Sequence, residues 1–186
     1  MFWQIRKRLG LVKEPTREES TAARVAALRL SGMVIGENVG IVNCTLDSLF
    51  PFLIEIGSDV LMTHATILAH DASPVVFGAS TRVGRVRILD RCFIGAGAVI
   101  LPGVTIGPCA IIGANAVVSR DVPEGSVFAG NPGRVVAQVK DWLAKKEAMG
   151  EIMPWPGGIV PSDEQVARGR ATVRAKFRPD LDYGSR

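Results

Sequence analysis

Residues 88–118 read ILDRCFIGAGAVILPGVTIGPCAIIGANAVV, in which an aliphatic residue returns every six positions: Ile88, Ile94, Ile100, Ile106, Ile112 and Val118. Four places after each of the first five stands a small or compact residue: Cys92, Ala98, Val104, Ala110 and Ala116. Gly follows the aliphatic residue directly at Gly95, Gly107 and Gly113. A period of six matches neither the 3.6 of a helix nor the two of a flat strand. It fits a triangular coil in which each hexad supplies one short strand and one corner. The aliphatic side chain fills the interior, the small residue sits where the wall is tight, and Gly or Asn/Asp takes the permissive corner dihedral. Three hexads complete a turn, and stacked turns form parallel sheets around columns of like residues. The fold class is an all-β solenoid.

Upstream, the same pattern is read at Ile35-Gly36, Ile41, Ile56-Gly57, Met62 and Leu68, with Val39, Thr45, Val60, Thr66 and Ala72 at the fourth place. It breaks twice, at Asp47–Leu53 (DSLFPFL) and over Ala72–Arg87. Insertions in a solenoid become outer loops, and such loops often carry function. The flanks read differently. Thr16-Arg17-Glu18-Glu19 is a capping box, and a helix continues through Ala22–Leu30. After Asn131-Pro132-Gly133, the spacing of Val135, Val136, Val139, Trp142 and Leu143 is helical. Met153–Pro161 is a Pro/Gly break, and Ser162 with Gln165 opens a last helix running towards Phe177. The expected organisation is an N-terminal helical segment (1–32), the β-helix (33–136), and a C-terminal helix with an extended tail (137–186), a helix over each open end protecting its edge hydrogen bonds.

The composition narrows the partners. Hydrophobic residues make up 47% of the 186, enough for a core, but aromatics only 6%, which suits thin regular layers. The net charge of +4 fits a solvated surface or an anionic partner such as a phosphorylated cofactor. No Lys/Arg run reaches five, so nucleic-acid binding is weakly supported. Cys44, Cys92 and Cys109 form no CxxC and no pairing pattern, which argues against a disulfide framework or a cysteine zinc site and points to a reducing, cytoplasmic compartment. No apolar run is long enough to span a membrane. Met1–Val12 (MFWQIRKRLGLV) lacks the apolar stretch of a secretion signal and reads as a short surface helix.

Ile94–Val136 reads IGAGAVILPGVTIGPCAIIGANAVVSRDVPEGSVFAGNPGRVV. It resembles the hexapeptide-repeat acyltransferases, nearest the maltose/galactoside and polysaccharide O-acetyltransferase group. The resemblance spans roughly residues 33–140, and VSRDVP and AGNPGRV are its most specific segments. It implies a left-handed parallel β-helix, a homotrimer, and acetyl-CoA lying in a groove between subunits and giving up its acetyl group directly, with no covalent enzyme intermediate and no metal.

The resemblance also assigns residues. His70, in Thr66–Ser73 (TILAHDAS), falls where the family's catalytic histidine lies. A sugar hydroxyl is a poor nucleophile at neutral pH, and an imidazole can take its proton during attack on a thioester. Asp71 could orient the ring, as could a backbone carbonyl. His64 stands at the equivalent place one hexad earlier; the two histidines diverge within one chain, and His64 is a candidate acceptor contact. Ala65 stands where the family often has an Asn touching the acceptor. For coenzyme A, Ala96 would offer its backbone N–H to the thioester oxygen and Ala114 its backbone to the pantetheine arm. Arg120, where the family usually has Lys, and Arg134 would meet phosphates, which a guanidinium can grip bidentately. Ala137 stands where a second basic residue is common. Transfer to a sugar hydroxyl is the leading expectation. An N-acetyltransferase acting on an amino sugar, a non-catalytic scaffold, and a γ-type carbonic anhydrase, which would need three histidines where this chain has two, are the alternatives.

Overall fold

The computed structural model describes residues 16–155 and 157–177. The reading of Met1–Val12 lies outside them. In chain order the strands are β1 (Val34–Ile35), β2 (Gly40–Val42), β3 (Thr45–Leu46), β4 (Ile54–Ile56), β5 (Leu61–Thr63), β6 (Thr66–Ile67), β7 (His70–Asp71), β8 (Arg82–Val83), β9 (Val86–Ile88), β10 (Phe93–Ile94), β11 (Val99–Ile100), β12 (Thr105–Ile106), β13 (Ile111–Ile112), β14 (Val117–Val118), β15 (Ser126–Gly130) and β16 (Gly133–Gln138). The helices are α1 (Arg17–Leu30), α2 (Val139–Ala148) and α3 (Asp163–Phe177).

The chain visits three sheets in rotation. The first is β1-β4-β9-β12, the second β2-β5-β10-β13-β15-β16, and the third β3-β6-β11-β14. Every pairing within them is parallel except β15 with β16. The register stacks like on like. Ile35, Ile56, Ile88 and Ile106 pair in series in the first sheet. Ile41, Met62, Ile94, Ile112 and Phe128 do so in the second. Leu46, Ile67, Ile100 and Val118 do so in the third. These columns are the core, and Ile94, Ile100, Ile106 and Ile112 are completely buried. Ala98, Ala110, Ala116, Cys92 and Val104 line the walls between them, as the spacing requires. Cys44 and Cys92 are buried free thiols, and burial pushes the Cys92 thiol up to about 11.

Two expectations are corrected. The upstream register slips by one in the third sheet. Ile67, not Leu68, pairs with Ile100, and Leu46 takes the preceding place. The small wall residues are accordingly Cys44 and Ala65, while Thr45 and Thr66 begin strands rather than filling the wall. Ala72 lies outside the wall as well, exposed at the start of a loop. The cause is the corner leading into that sheet. In the first two coils the left-handed residue, Asn43 (φ 50°) and His64 (φ 47°), comes two places after Ile41 and Met62, whereas Gly97 and Asn115 come three places after Ile94 and Ile112, so the early corner is one residue shorter. The second correction concerns Val135 and Val136. They lie in β16, which folds back antiparallel on β15, and the helix starts only at Val139.

That fold-back has a reason. In the stack, neighbouring coils exchange backbone hydrogen bonds both ways: Gly36 donates forward to Ile56 (2.8 Å) and Gly57 to Ile88 (2.7 Å), while Asp59 donates back to Glu37 (2.9 Å) and His64 to Val42 (2.7 Å). The last coil therefore ends in an open edge whose N–H and C=O groups need partners, and β16 pairs with that edge along β15. The first coil has an open edge too, and α1 covers part of it. Arg24 of α1 donates to the Cys44 carbonyl (2.6 Å), and Arg29 donates to the carbonyls of Ile35 (3.0 Å) and Gly36 (2.6 Å). The Thr16–Glu19 capping box starts α1, and Val25 is its buried contact with the core. Ser162 and Gln165 cap α3 reciprocally. Ile159 and Trp155 pack near the outer face of the second sheet, against Gly40 and α3's Gly169 respectively.

Ile106→Asp tests the columns. An unpaired carboxylate among the first-sheet isoleucines costs several kcal/mol, and we expect loss of the cooperative thermal transition seen by circular dichroism. A near-normal melting temperature would contradict the register.

Candidate functional site

Both breaks in the repeat occur at the same corner, where the chain leaves the third sheet for the first. Asp47 follows β3 in one coil, and His70 follows β6 in the next. Stacking therefore brings together two residues far apart in sequence. The Nδ1 of His70 is hydrogen-bonded to an Asp47 carboxylate oxygen.

Asp47 is fixed before it meets the ring. Its carboxylate accepts from the backbone N–H of Leu49 (2.9 Å), Phe50 (3.2 Å) and Ala69 (2.9 Å), and its side chain is almost wholly buried. Burial by itself would raise the carboxyl's pKa. The hydrogen bonds from His70 and from the three backbone amides outweigh it and hold Asp47 below the ordinary carboxylate value. An ionised carboxylate only accepts, so Nδ1 must carry its proton, and in a neutral ring Nε2 is left as the free base. The His70 side chain is 27% exposed, and the Phe50 ring lies edge-on to it, centroid to centroid 5.3 Å. A buried carboxylate, a ring held in one tautomer and a partly open Nε2 together form an acid–base pair.

Asp71 does not take the orienting place. Its carboxylate accepts from the Ser73 N–H (2.9 Å), which is the main reason its pKa is lowered. It belongs to the hairpin of β7 and β8, where it pairs with Arg82. Successive strand residues face opposite ways, so the neighbour of His70 in sequence is not its neighbour in space. The sequence reading missed Asp47 for that reason. The available signal was that Asp47 opens one repeat break and His70 stands two places before the next.

The remaining candidates fall on two edges. His64 lies at the other end of β6 from His70, at the corner between the second and third sheets, with Nε2 3.4 Å from the Asn43 amide nitrogen. Ala96 and Ala114 occupy the same corner in later coils, exposed and linked by the Asn115 N–H donating to the Ala96 carbonyl (2.9 Å). Arg134 extends this edge, opposite Ala129 in the β15–β16 ladder, and is exposed. Arg120 follows β14 on the His70 edge and is exposed. The third sheet separates the two edges. Its outward residues Thr45, Thr66, Val99 and Val117 are uncharged. Among the described residues no group of three His, Cys, Asp or Glu is placed to hold a metal ion, and no helix is long and apolar enough to cross a membrane.

Residues 85–120 match the family model of the bacterial transferase hexapeptide (six repeats). That stretch carries the hexapeptide repeat. The Bacillus subtilis (strain 168) protein YvoF is 40% identical over 91 residues, 48% of this chain and 51% of YvoF. A hexapeptide-repeat acetyltransferase from Vibrio cholerae O1 biovar eltor, solved in complex with acetyl coenzyme A, is 29% identical with a TM-score of 0.53, covering 59% of this chain and 62% of that one. A maltose O-acetyltransferase from Clostridium difficile 630 is 32% identical with a TM-score of 0.50, covering 57% and 59%. The chain spans about half the length of the curated relatives it matches.

The depressed Asp47 pKa gives stability a pH signature. A group whose folded pKa is lowered stabilises the fold above its unfolded value and loses that contribution as pH falls through the folded one. Asp47→Asn should therefore cost roughly 2 kcal/mol near neutrality, and the gap from wild type should close as the pH drops below the usual carboxylate range. Urea unfolding across that range measures it. A gap independent of pH would contradict an ionised Asp47.

Proposed function

We propose that this protein is a homotrimeric acyltransferase that moves an acetyl group from acetyl-CoA to a hydroxyl, a sugar hydroxyl being the leading class, by direct transfer with His70 as general base. The observation that carries the reading is the Asp47–His70 pair, set where the repeat opens into loops and leaving Nε2 free. The stacked sheets support a left-handed β-helix over residues 33–136 as the scaffold, with helical flanks on either side.

Acetyl-CoA would supply an activated carbonyl with a good leaving group. The His70 Nε2 takes the acceptor's O–H proton as the oxygen bonds to the carbonyl carbon. The C–S bond breaks, and the imidazolium returns the proton to the departing sulfur. Asp47 stabilises the imidazolium and keeps the ring in the required tautomer, which makes it a positioning residue. An amino-group acceptor would use the same pair.

The residues suit the cofactor. Arg120 and Arg134 are exposed cations able to meet phosphates. Ala96 and Ala114, small residues at exposed corners, leave backbone open to an extended pantetheine arm. Within one chain, His70 and Ala96 flank opposite edges of the third sheet. Both edges would meet one cofactor where neighbouring copies come together, and this supports sites at the junctions of a trimer. His64, on the far edge, would then contact the acceptor at such a junction.

His70→Ala should lower kcat by about 10²-fold or more while coenzyme A affinity is kept, since deprotonation is lost and binding is not. His64→Ala should act less, mainly on acceptor KM. Arg120→Ala or Arg134→Ala should weaken coenzyme A binding about tenfold or more, since a charge-assisted bond contributes roughly 1.5–3 kcal/mol. Calorimetry and steady-state kinetics separate these effects. Unchanged activity in His70→Ala, or a clean monomer by light scattering, would refute the reading.

A further inference from the structure

The strand that carries His70 belongs to none of the three sheets. β7 pairs only with β8, antiparallel, with His70 opposite Val83 and Asp71 opposite Arg82. The Gly84 N–H closes one end of this ribbon on the Ala69 carbonyl (2.9 Å), and the Thr81 hydroxyl closes the other on the Asp71 carbonyl (3.0 Å). A lone two-stranded ribbon is marginal in water. This one has two residues a side and a long loop, 72–81, between its strands. Contacts from outside the ribbon must hold the imidazole still.

The two faces of the ribbon meet two different coils. Residues directly opposite share a face, and neighbours along a strand alternate. His70 and Val83 therefore face one way, and Asp71 and Arg82 the other. On the His70 face lies the coil before, whose Asp47 carboxylate is hydrogen-bonded to Nδ1. On the Arg82 face lies the coil after, where Arg82 Nη2 donates to the Pro102 carbonyl (3.1 Å).

Gly84 fits against the same corner. A Cβ there would stand 2.5 Å from the Gly103 nitrogen and 2.9 Å from the Pro102 carbonyl carbon, so only glycine lets the backbone of β8's exit lie this close. Asp71 is occupied elsewhere, its carboxylate accepting from the Ser73 N–H (2.9 Å). The Arg82 guanidinium is thus the side chain that fastens the ribbon to the following coil.

We propose that Arg82 is a positioning residue for the His70 base, holding β8 on the Pro102–Gly103 corner so that the imidazole stays against Asp47. Asp47 fixes the ring from one coil, and Arg82 fixes the backbone beneath it from the other. The catalytic consequence rests on the acyltransferase reading above, whereas the clamp is a property of the free protein. A base set about 1 Å out of place can lose about a hundredfold in rate.

The test is proton exchange at His70 in the free full-length chain. Labelling with [15N]histidine marks two imidazoles, and His70→Ala assigns them. Exchange of the His70 Nδ1 proton with water, followed by NMR, reads how often the Asp47 contact opens. Arg82→Ala should speed it about tenfold or more, the loss expected for one charge-assisted hydrogen bond. Arg82→Lys keeps a donor for the Pro102 carbonyl and should stay near wild type. Gly84→Ala, which wedges β8 off Gly103 with no change of charge, should act like Arg82→Ala. Both Arg82 variants should keep the wild-type melting temperature and coenzyme A affinity. With acetyl-CoA and methyl glucoside, Arg82→Ala should lower kcat by about ten- to a hundredfold. It should cost nothing further in a His70→Ala background, as expected of a residue that acts through another. Wild-type exchange in Arg82→Ala, equal effects of Ala and Lys, an added loss in the double variant, or a wild-type proton too fast to observe would overturn the assignment. A wild type that binds no coenzyme A, or transfer that survives in His70→Ala, would instead overturn the acyltransferase reading, and the exchange rates would still decide the clamp.

Discussion

Everything in this molecule depends on like side chains stacking on like. A parallel ladder brings each aliphatic residue directly over its counterpart in the coil before, so Ile56 must sit on Ile35, Ile88 on Ile56 and Ile106 on Ile88. Each coil also needs the backbone hydrogen bonds of the next. A coil of this length could not bury its apolar residues alone. The strands are only two or three residues long over most of the stack, and their stability is collective. A column that runs through every coil leaves function to the places where it is interrupted. The corner between the third and first sheets, where Asp47 and His70 meet, is such a place.

The sequence made the later coils legible because period and geometry coincide there. From Ile88 to Val118 every corner has the same length, and the predicted interior residues are those found buried. The upstream coils were misread by one position because a period says where an average corner ends, and not when a left-handed Asn43 or His64 turns the chain a residue sooner. The strand at Val135–Val136 was misread for another reason. Its apolar spacing resembles a helix, but the open edge of β15 made an antiparallel partner more favourable than an early helix start.

Within the site, the histidine was legible and its partner was not. His70 could be picked out because it sits where the repeat fails. Asp47 could be found only by laying one coil on the next, and the shortened corners upstream obscured that alignment. Asp71 attracted attention through adjacency, yet adjacent strand residues point apart. The arrangement found is the more economical one chemically. A single carboxylate, buried and gripped by three backbone amides, gives the ring a fixed partner and also anchors the loop that carries Phe50.

The guanidinium contacts of α1 bear on the size of the molecule. A stack of parallel coils ends in an open backbone edge at its start and another at its finish. Two such ends are complementary, so bare stacks would add head to tail without limit, as open β-edges do. Arg24 and Arg29 occupy carbonyls at one end, and β16 pairs with the edge of β15 at the other. These contacts act as chain terminators, keeping a self-complementary rod from becoming a filament.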